Sequence, residues 1–171
     1  MEREELSVGI GWDSHPLVSG RRLILGGVDI PYDKGLLGWS DADVAIHAII
    51  DALCGAADLG DIGTLFPSGE PEYKDISSLV LLSRTSKLLK AKGLGVANID
   101  VTVIAQNPKL SPFIPEMRRR ISKTLGVDST QVTVKATTTN GLGFIGRGEG
   151  MAAQAVALVR KKWNVRKLGE A

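Results

Sequence analysis

The chain has 171 residues, of which 43% are hydrophobic and 23% charged, and its formal net charge is +2. This composition excludes an intrinsically disordered chain, and the mild charge argues against a nucleic-acid-binding protein. The single cysteine, Cys54, excludes an internal disulfide framework, and no apolar run reaches the roughly 20 residues of a membrane-spanning helix. We therefore expect one cytoplasmic domain over residues 1–171, with frayed ends at 1–5 and 161–171 and with no nucleic-acid or membrane partner.

The spacing of apolar residues predicts eight elements. In chain order they are strands over 6–12 and 22–30, helices over 40–57 and 76–92, a strand over 99–105, a helix over 111–126, and strands over 131–138 and 151–160. Ser40 is expected to cap the first helix, and Ser111 with Pro112 to open the third. Strands and helices do not alternate regularly, which predicts an α+β fold, a mixed β-sheet with helices packed on one face. The uncovered face would need a partner, so we expect an oligomer.

Both histidines of the chain, His15 and His47, lie in its first third. Asp13 and His15 are two residues apart at the end of a predicted strand, so their side chains leave on the same face. Together with His47 they form an Asp-His-His set, which zinc accepts while keeping a fourth position open for substrate. Asp43 or Asp51, each one helical turn from His47, could orient its ring. The spacing leaves open the alternative that His47 is an ordinary buried histidine and that Asp13-x-His15 is a turn.

Two glycine-rich segments follow the strand predicted over 131–138. The segment 137–143 offers hydroxyls and unhindered backbone amides, and the segment 146–150 adds the guanidinium of Arg147. Such groups can cradle a phosphate, although the glycines could also serve only as turn residues. Neither segment ends in Lys-Ser/Thr or opens a predicted helix, which excludes a P-loop ATPase or a Rossmann site. The residues point to a phosphorylated small molecule beside a metal.

Longer motifs carry a resemblance to a known family. They are GIGWDSH over 9–15, GLL over 35–37, SDADVAIH over 40–47, LGDIG over 59–63 with Phe66-Pro67, KATTT over 135–139 and GRGEG over 146–150. In this order, from about Val8 to Val159, they resemble the 2-C-methyl-D-erythritol 2,4-cyclodiphosphate synthase family of the non-mevalonate isoprenoid pathway. The resemblance implies a lyase in which the 2-phosphate of 4-diphosphocytidyl-2-C-methyl-D-erythritol 2-phosphate attacks the β-phosphorus and CMP leaves. It also implies a homotrimer with active sites between neighbouring subunits.

By matching motif positions, the resemblance implies that Asp13, His15 and His47 hold Zn2+, and that Mg2+ or Mn2+ binds with the substrate diphosphate. It places Trp39 and Thr138 at catalytic positions, Asp61 at a ribose contact and the segment 105–111 in the cytosine pocket. The implied substrate-binding set is Asp13, Ser14, His15, Trp39, Ser40, Asp61, Ile62, Gly63, Phe66, Ala105, Pro108, Lys109, Leu110, Ser111, Thr137, Thr138, Thr139, Asn140, Phe144 and Arg147.

Three positions depart from the family pattern. Trp39 stands where the family has His, and its indole N–H only donates and cannot become cationic. Asn140 replaces a Glu, so the second divalent ion would meet a neutral carbonyl oxygen and bind more weakly. Ser68 replaces an Asp. We expect the activity to be kept at a reduced rate; the alternatives are a cytidine-nucleotide- or metal-binding module without turnover, and a metallo-phosphoesterase that uses the same zinc and water.

Overall fold

The structure, a computed structural model, describes the backbone of residues 2–164 and the side chains of residues 5–161. Its strands are β1 (Glu2–Ser19), β2 (Leu23–Leu25), β3 (Val28–Ile30), β4 (Lys34–Leu36), β5 (Leu94–Ile104), β6 (Val132–Thr137) and β7 (Gly150–Asn164). Its helices are α1 (Val44–Ala57), α2 (Ile62–Leu65), α3 (Ser78–Ala91), α4 (Ile114–Leu125) and α5 (Gly143–Gly146). Short 3-10 turns lie at Pro71–Tyr73 and Ser129–Gln131. Within the described residues, none of the helices has the length and apolar character needed to cross a membrane.

Five strands form one mixed sheet in the order β4-β1-β7-β5-β6, while β2 and β3 pair separately as a hairpin. β5 and β6 run parallel, and the other neighbours in the five-stranded sheet run antiparallel. A parallel pair requires a crossover connection, and here that connection contains α4. The prediction of an α+β fold with a mixed sheet is confirmed.

The hydrophobic core lies between one face of the sheet and the helices. α1 packs across β1, β7 and β5, and it is buried on nearly all sides because α3 covers it from outside. The opposite sheet face carries exposed apolar side chains: Val8 and Ile10 of β1 are 66% and 64% exposed, and Val156 of β7 is 42% exposed. Among the described residues no helix packs on this face, in agreement with the prediction that the helices cover one face of the sheet.

Several strand boundaries differ from the predictions. β1 continues beyond Trp12 to Ser19, so Asp13 and His15 lie inside the strand, because the antiparallel ladder with β7 extends to the pair Pro16 and Gly150. The same ladder includes residues 2–5 and 161–164, where frayed ends were expected; Met1 and residues 165–171 lie outside the described residues.

The segment predicted as one strand over 22–30 is the β2–β3 hairpin. Gly26 and Gly27, where a bulge was expected, form its turn with φ values of 57° and 74°, the left-handed region that a tight hairpin turn requires. The segment after the hairpin also contains β4, a three-residue strand that the sequence analysis missed. Four strands therefore precede α1, where two were predicted.

The first residues of two helices also differ from the predictions. Asp43, and not Ser40, caps α1: its carboxylate accepts hydrogen bonds from two N–H groups of the first turn and from the N–H groups of Gly26 and Gly27, at 2.6 to 3.1 Å. This buried carboxylate ties the start of α1 to the β2–β3 turn. α4 begins after Phe113 and not at Ser111, since residues before it form a separate turn closed by the Phe113 N–H.

Candidate active site

Two glycines of β1 determine how closely α1 approaches the sheet. A Cβ at Gly9 would lie 2.0 Å from the Ala52 carbonyl oxygen, and a Cβ at Gly11 would lie 2.0 Å from the Ala48 carbonyl oxygen. The helix backbone therefore rests directly on the strand, which only glycine permits. As β1 proceeds, its contacts move toward the N-terminus of α1. The next residue on this face, Asp13, therefore meets the helical turn that carries His47.

Asp13, His15 and His47 form a compact cluster at this point. Asp13 Oδ2 lies 2.9 Å from His47 Nδ1 and 3.1 Å from His15 Nε2, and the two nitrogens are 3.3 Å apart. The three atoms all lie within 4.8 Å of one another, so they are close enough to hold a single metal ion. His47 is buried, whereas Asp13 and His15 are half-buried and border an opening. The structure thus brings together the three residues that the sequence proposed as ligands.

The electrostatics of the cluster favour a charged Asp13. Burial opposes ionisation of the Asp13 carboxyl, but hydrogen bonds and positive charge from His15 and His47 outweigh it and hold the pKa below its ordinary value. Burial likewise opposes protonation of His15, yet its contact with Asp13 outweighs that cost and raises the His15 pKa above 6.5. Asp13 and His15 therefore favour each other's charged forms.

The outer nitrogens of both rings are also hydrogen-bonded. His15 Nδ1 lies 2.8 Å from the Leu37 carbonyl oxygen, which can only accept, so this nitrogen carries the hydrogen and Nε2 is left free to coordinate. His47 Nε2 lies 2.9 Å from Ser78 Oγ and 3.1 Å from Ser40 Oγ. Neither carboxylate expected to orient His47 does so. Asp43 caps α1, and Asp51 accepts the N–H that begins α2 at 2.7 Å.

A cavity of about 160 Å3 opens beside the cluster. The residues of the predicted site that line it are Asp13, His15, Trp39, Ser40, His47, Ile62, Gly63 and Phe66. Ser68 lines it as well. The volume is below the range of about 300–1,000 Å3 that is usual for ligand sites. The cavity that one chain forms is therefore small for a site that holds a whole ligand.

Trp39 lines the cavity with its ring, while its polar atom is already used. The indole N–H donates to the Glu70 carbonyl oxygen at 2.9 Å, and the Trp39 carbonyl oxygen accepts from the Asp75 N–H at 2.8 Å. Tryptophan has no other side-chain donor or acceptor. Trp39 therefore holds Glu70 through its side chain and Asp75 through its backbone, which keeps this segment beside the Asp13–His15–His47 cluster.

Asp61 caps α2 beside the cavity, where its Oδ1 accepts the Thr64 N–H at 2.7 Å. The predicted residues of the segments 105–111 and 137–147 form a second group at the β5–β6 edge of the sheet. The Ala105 N–H donates to the Thr137 carbonyl oxygen at 3.0 Å, and the Gly141 N–H donates to Gln106 Oε1 at 3.1 Å, so the segments 105–111 and 137–147 are adjacent. None of these residues lines the cavity beside the Asp13–His15–His47 cluster. The separation follows from the strand order, because two strands lie between β1 and β6.

Within this second group several polar side chains contact each other. The Thr138 hydroxyl donates to Asn140 Oδ1 at 3.3 Å, and Arg147 pairs with Glu149 through two hydrogen bonds of 2.8 and 3.0 Å. Phe144 lies beside Gly150, where a Cβ would come within 3.3 Å of its ring. Ser14 belongs to neither group, since its side chain is exposed and alternates to the uncovered sheet face.

Comparisons with known proteins bear on what this arrangement is for. A family model described as the YgbB family matches residues 6–160. The chain belongs to the YgbB family. A protein of Pelotomaculum thermopropionicum named 2-C-methyl-D-erythritol 2,4-cyclodiphosphate synthase is 60% identical over 156 residues, which cover 91% of this chain and 96% of that protein.

Solved structures agree with the YgbB assignment. The bifunctional IspDF from Campylobacter jejuni matches with a TM-score of 0.90 and 42% identity, over 93% of this chain and 43% of that longer chain. IspF of Plasmodium falciparum in a CDP complex matches with a TM-score of 0.79 and 34% identity, over 90% of this chain and 95% of that chain. The resemblance inferred from the motifs is confirmed at the level of the family.

Three residues beside the Asp13–His15–His47 cluster of this YgbB chain were not predicted from the sequence. Tyr73 and Leu81 line the cavity, and Ser78 contacts His47 from 31 positions away in the sequence. No motif spacing connects Ser78 with His47. The one available signal was that Ser78 stands at the start of a predicted helix, where a serine side chain is close to backbone groups and to the neighbouring loop.

Proposed function

We propose that this chain converts 4-diphosphocytidyl-2-C-methyl-D-erythritol 2-phosphate to 2-C-methyl-D-erythritol 2,4-cyclodiphosphate and releases CMP. The observation that carries the proposal is the Asp13–His15–His47 cluster in a chain that is 60% identical to a protein named for this synthase activity. The reaction forms a bond between the 2-phosphate oxygen and the β-phosphorus and breaks the bond from the β-phosphorus to CMP. The enzyme is then a phosphorus–oxygen lyase that needs no side-chain nucleophile, and positioning and charge stabilisation supply the catalysis.

The donor set fits a zinc ion. Two imidazole nitrogens and one carboxylate oxygen converge, and three protein ligands leave the fourth tetrahedral position for a substrate oxygen. When bound, zinc supplies Lewis acidity and neutralises phosphate charge. Asp13, His15 and His47 would hold the ion, and Ser40 borders the position where the phosphate would lie.

We further propose that the chain forms a homotrimer in which each active site lies between two neighbouring subunits. Three observations support it. The Asp13–His15–His47 cluster and the second group, formed by the segments 105–111 and 137–147, lie at different places on the sheet of one chain. The cavity at the cluster is small, and an apolar sheet face is left uncovered. A neighbouring subunit would cover that face and bring its own segments 105–111 and 137–147 toward the Asp13–His15–His47 cluster.

The same proposal assigns the nucleotide and diphosphate contacts. Asp61 and Gly63 would meet the ribose, backbone groups of 105–111 the cytosine, and Thr137 and Thr138 the diphosphate with its Mg2+ or Mn2+. The CDP complex of the Plasmodium falciparum relative supports recognition of a cytidine diphosphate. Trp39 stands at a proposed catalytic position, but its indole N–H already donates to the Glu70 carbonyl oxygen. We therefore assign Trp39 to shaping the cavity and not to donating a hydrogen bond to the transition state.

Phosphorus NMR of the purified protein with the substrate, zinc and Mg2+ tests the function. The expected result is cyclic diphosphate together with CMP. His47→Ala is the control, and we expect it to lose bound zinc and turnover while far-UV circular dichroism shows that the subunit is folded.

The other outcomes discriminate among the alternatives. Unchanged substrate with folded, zinc-loaded protein would overturn the synthase and leave a cytidine-nucleotide-binding module. A linear phosphate product would indicate a metallo-phosphoesterase. Full zinc occupancy in His47→Ala would show that the ligand set is wrong.

A further inference from the structure

His47 can serve as a ligand through only one of its two ring nitrogens. Nδ1 faces the cluster, 2.9 Å from Asp13 Oδ2 and 3.3 Å from His15 Nε2, while Nε2 points away from it toward α3. A neutral imidazole carries its single hydrogen on one nitrogen and a lone pair on the other. Coordination therefore needs the tautomer with the hydrogen on Nε2, and whatever Nε2 contacts decides whether that tautomer is favoured.

Ser78 is the nearest contact of Nε2, and its hydroxyl hydrogen is already directed elsewhere. Ser78 is fully buried at the first position of α3, with Oγ 2.9 Å from His47 Nε2. The Asp41 carboxylate accepts from both donors of Ser78, taking the hydroxyl on Oδ1 and the backbone N–H on Oδ2 at 2.9 Å. Because a carboxylate only accepts, the Ser78 hydrogen lies toward Asp41, and a lone pair of Oγ faces the imidazole.

Ser40, the other neighbour of Nε2, does not impose this polarity. Its Oγ lies 3.1 Å from Nε2 and accepts from the Ala42 N–H at 3.2 Å. No carboxylate among the described contacts of Ser40 orients its hydroxyl hydrogen, so this group can accept from Nε2 or donate to it. The two serines are therefore unequal: Ser78 dictates the tautomer and Ser40 accommodates it.

Asp41 is itself held in place. Its N–H donates to the Ile76 carbonyl oxygen at 3.1 Å, and its Oδ1 also accepts the Asp43 N–H at 3.3 Å. Asp41 thus links the segment before α1 to the start of α3 through these hydrogen bonds and those to Ser78. Nothing in the substrate-facing cavity involves Asp41, since it is not among the residues that line it.

We propose that Asp41, acting through Ser78, is a positioning residue that holds His47 in the Nε2–H tautomer and presents Nδ1 to the metal. This inference rests on the proposed metal site. It assigns to the first aspartate of the Ser40-Asp41-Ala42-Asp43 segment a different task from the second, which caps α1. Outer partners of metal-bound histidines typically contribute about 10- to 100-fold in metal affinity.

The first test compares the zinc affinities of Asp41→Asn, Ser78→Ala and the control Ser77→Ala, by competition with a chromogenic chelator. An amide at position 41 keeps only one of the two acceptor oxygens that Ser78 uses and puts an N–H donor in place of the other, and alanine at 78 removes the relay. Ser77 is the exposed residue just before Ser78, and its side chain makes no capping hydrogen bond. We expect Asp41→Asn and Ser78→Ala to bind zinc about 10- to 100-fold more weakly than wild type, and Ser77→Ala to keep wild-type affinity. Far-UV circular dichroism and thermal unfolding confirm that each variant is folded.

The double variant Asp41→Asn with Ser78→Ala separates the relay from a structural role. Once the Ser78 hydroxyl is absent, Asp41 has no route to His47, so we expect the double variant to bind zinc as Ser78→Ala does. Losses that add would overturn the proposal, as would wild-type zinc affinity in folded Asp41→Asn.

The tautomer itself can be observed by long-range 1H–15N correlation on zinc-loaded protein. The chain has only two histidines, so the spectrum contains two imidazole patterns. We expect His47 to carry its hydrogen on Nε2 and His15 on Nδ1. A hydrogen on His47 Nδ1 would overturn the proposal. Failure of the metal site appears differently, as wild-type protein that binds zinc no more tightly than His47→Ala.

Discussion

At the scale of single residues, Asp13 is the negatively charged member of the Asp13–His15–His47 cluster, and it affects how readily His15 is protonated. Its Oδ2 lies within 3.1 Å of a nitrogen of each histidine, and this contact raises the pKa of His15 above its ordinary value of 6.5 despite burial. A proton and a metal ion therefore compete for the same nitrogen. The competition sets the pH range over which the site can be loaded.

We predict that zinc affinity keeps rising as the pH passes 6.5. Since the folded pKa of His15 is raised, its protonated form stabilises the metal-free protein fully below pH 6.5, and this contribution is lost as the pH rises through the folded value. Zinc needs the unprotonated ring, so its affinity levels off only above that folded pKa. Chelator competition at a series of pH values measures this. A plateau already reached below pH 6.5 would contradict it.

Asn140 is a second residue whose chemistry can be tested singly. Its φ is 54°, a left-handed conformation that asparagine adopts more readily than glutamate does. Its Oδ1 accepts from the Thr138 hydroxyl at 3.3 Å, which places a neutral oxygen where the motif resemblance led us to expect a carboxylate. Asparagine thus suits the left-handed backbone at position 140, but its side chain provides no negative charge for a second divalent ion.

We predict that Asn140→Glu lowers the Mg2+ concentration needed for half-maximal turnover, because it restores a carboxylate beside Thr138. We also expect it to lose about 1 kcal/mol of stability through the strained backbone. A Mg2+ titration and thermal unfolding measure the two effects. Asn140→Gln is the matched control, with the same length and no charge. An unchanged titration in the glutamate variant would remove Asn140 from the proposed ion site.

At the scale of elements, the contact between β1 and α1 connects the fold to the site. Gly9 and Gly11 let the helix backbone lie on the strand, and the Asp43 carboxylate fixes where the helix begins. The height of α1 above the sheet then determines the distance between His47 and Asp13. A side chain inserted between α1 and β1 would therefore change the distance from His47 to Asp13 without contacting either residue.

We predict that Gly11→Ala destabilises the protein by about 1–3 kcal/mol and weakens zinc binding, since its Cβ would meet the Ala48 carbonyl oxygen at 2.0 Å. Gly55→Ala in α1 is the control on the other side of this contact, because its Cβ would make only an ordinary contact, 3.9 Å from the Gly9 Cα. We expect it to raise the free energy of unfolding by about 0.5–1 kcal/mol. Urea unfolding and chelator competition measure both variants. Wild-type stability in Gly11→Ala would show that the helix can move away without cost.

At the scale of the whole molecule, the uncovered sheet face is the dominant feature. Val8, Ile10 and Trp12 of β1 are 66%, 64% and 51% exposed, and Val156 of β7 adjoins them. Contiguous apolar surface of this kind is rare on a monomer. It lies on the side of the sheet opposite to α1. Covering it with another subunit would assemble the site without disturbing the metal ligands of the first.

We predict that Ile10→Asp prevents assembly and abolishes turnover while each folded subunit still binds zinc. The reason is that a charge would be buried in the interface, whereas the ligands belong to one chain. Light scattering coupled to size-exclusion chromatography, with zinc analysis, measures this. Leu88→Asp is the control, an exposed apolar residue on α3 that is 38% accessible. A monomeric wild type, or an active monomeric variant, would refute the shared site.

The sequence by itself determined the class of the fold, the family and the three candidate ligands. Helical spacing of apolar residues placed α1, α3 and α4, and the glycines Gly93 and Gly126, whose φ values are 72° and 70°, mark the ends of α3 and α4. The i, i+2 spacing of Asp13 and His15 was enough to put both side chains on one face of a strand. Long motifs identified the family because several of them occur in a fixed order.

Only the tertiary structure decided the contacts that join distant segments. Ser40 was predicted to cap a helix, yet it faces His47, because Asp43 satisfies the first turn of α1 and the β2–β3 turn together. Ser78 and Asp41 approach His47 through packing of α3 on α1, for which no local pattern exists. Local propensity acts over a few residues, whereas a hydrogen bond across 31 positions depends on how whole elements pack.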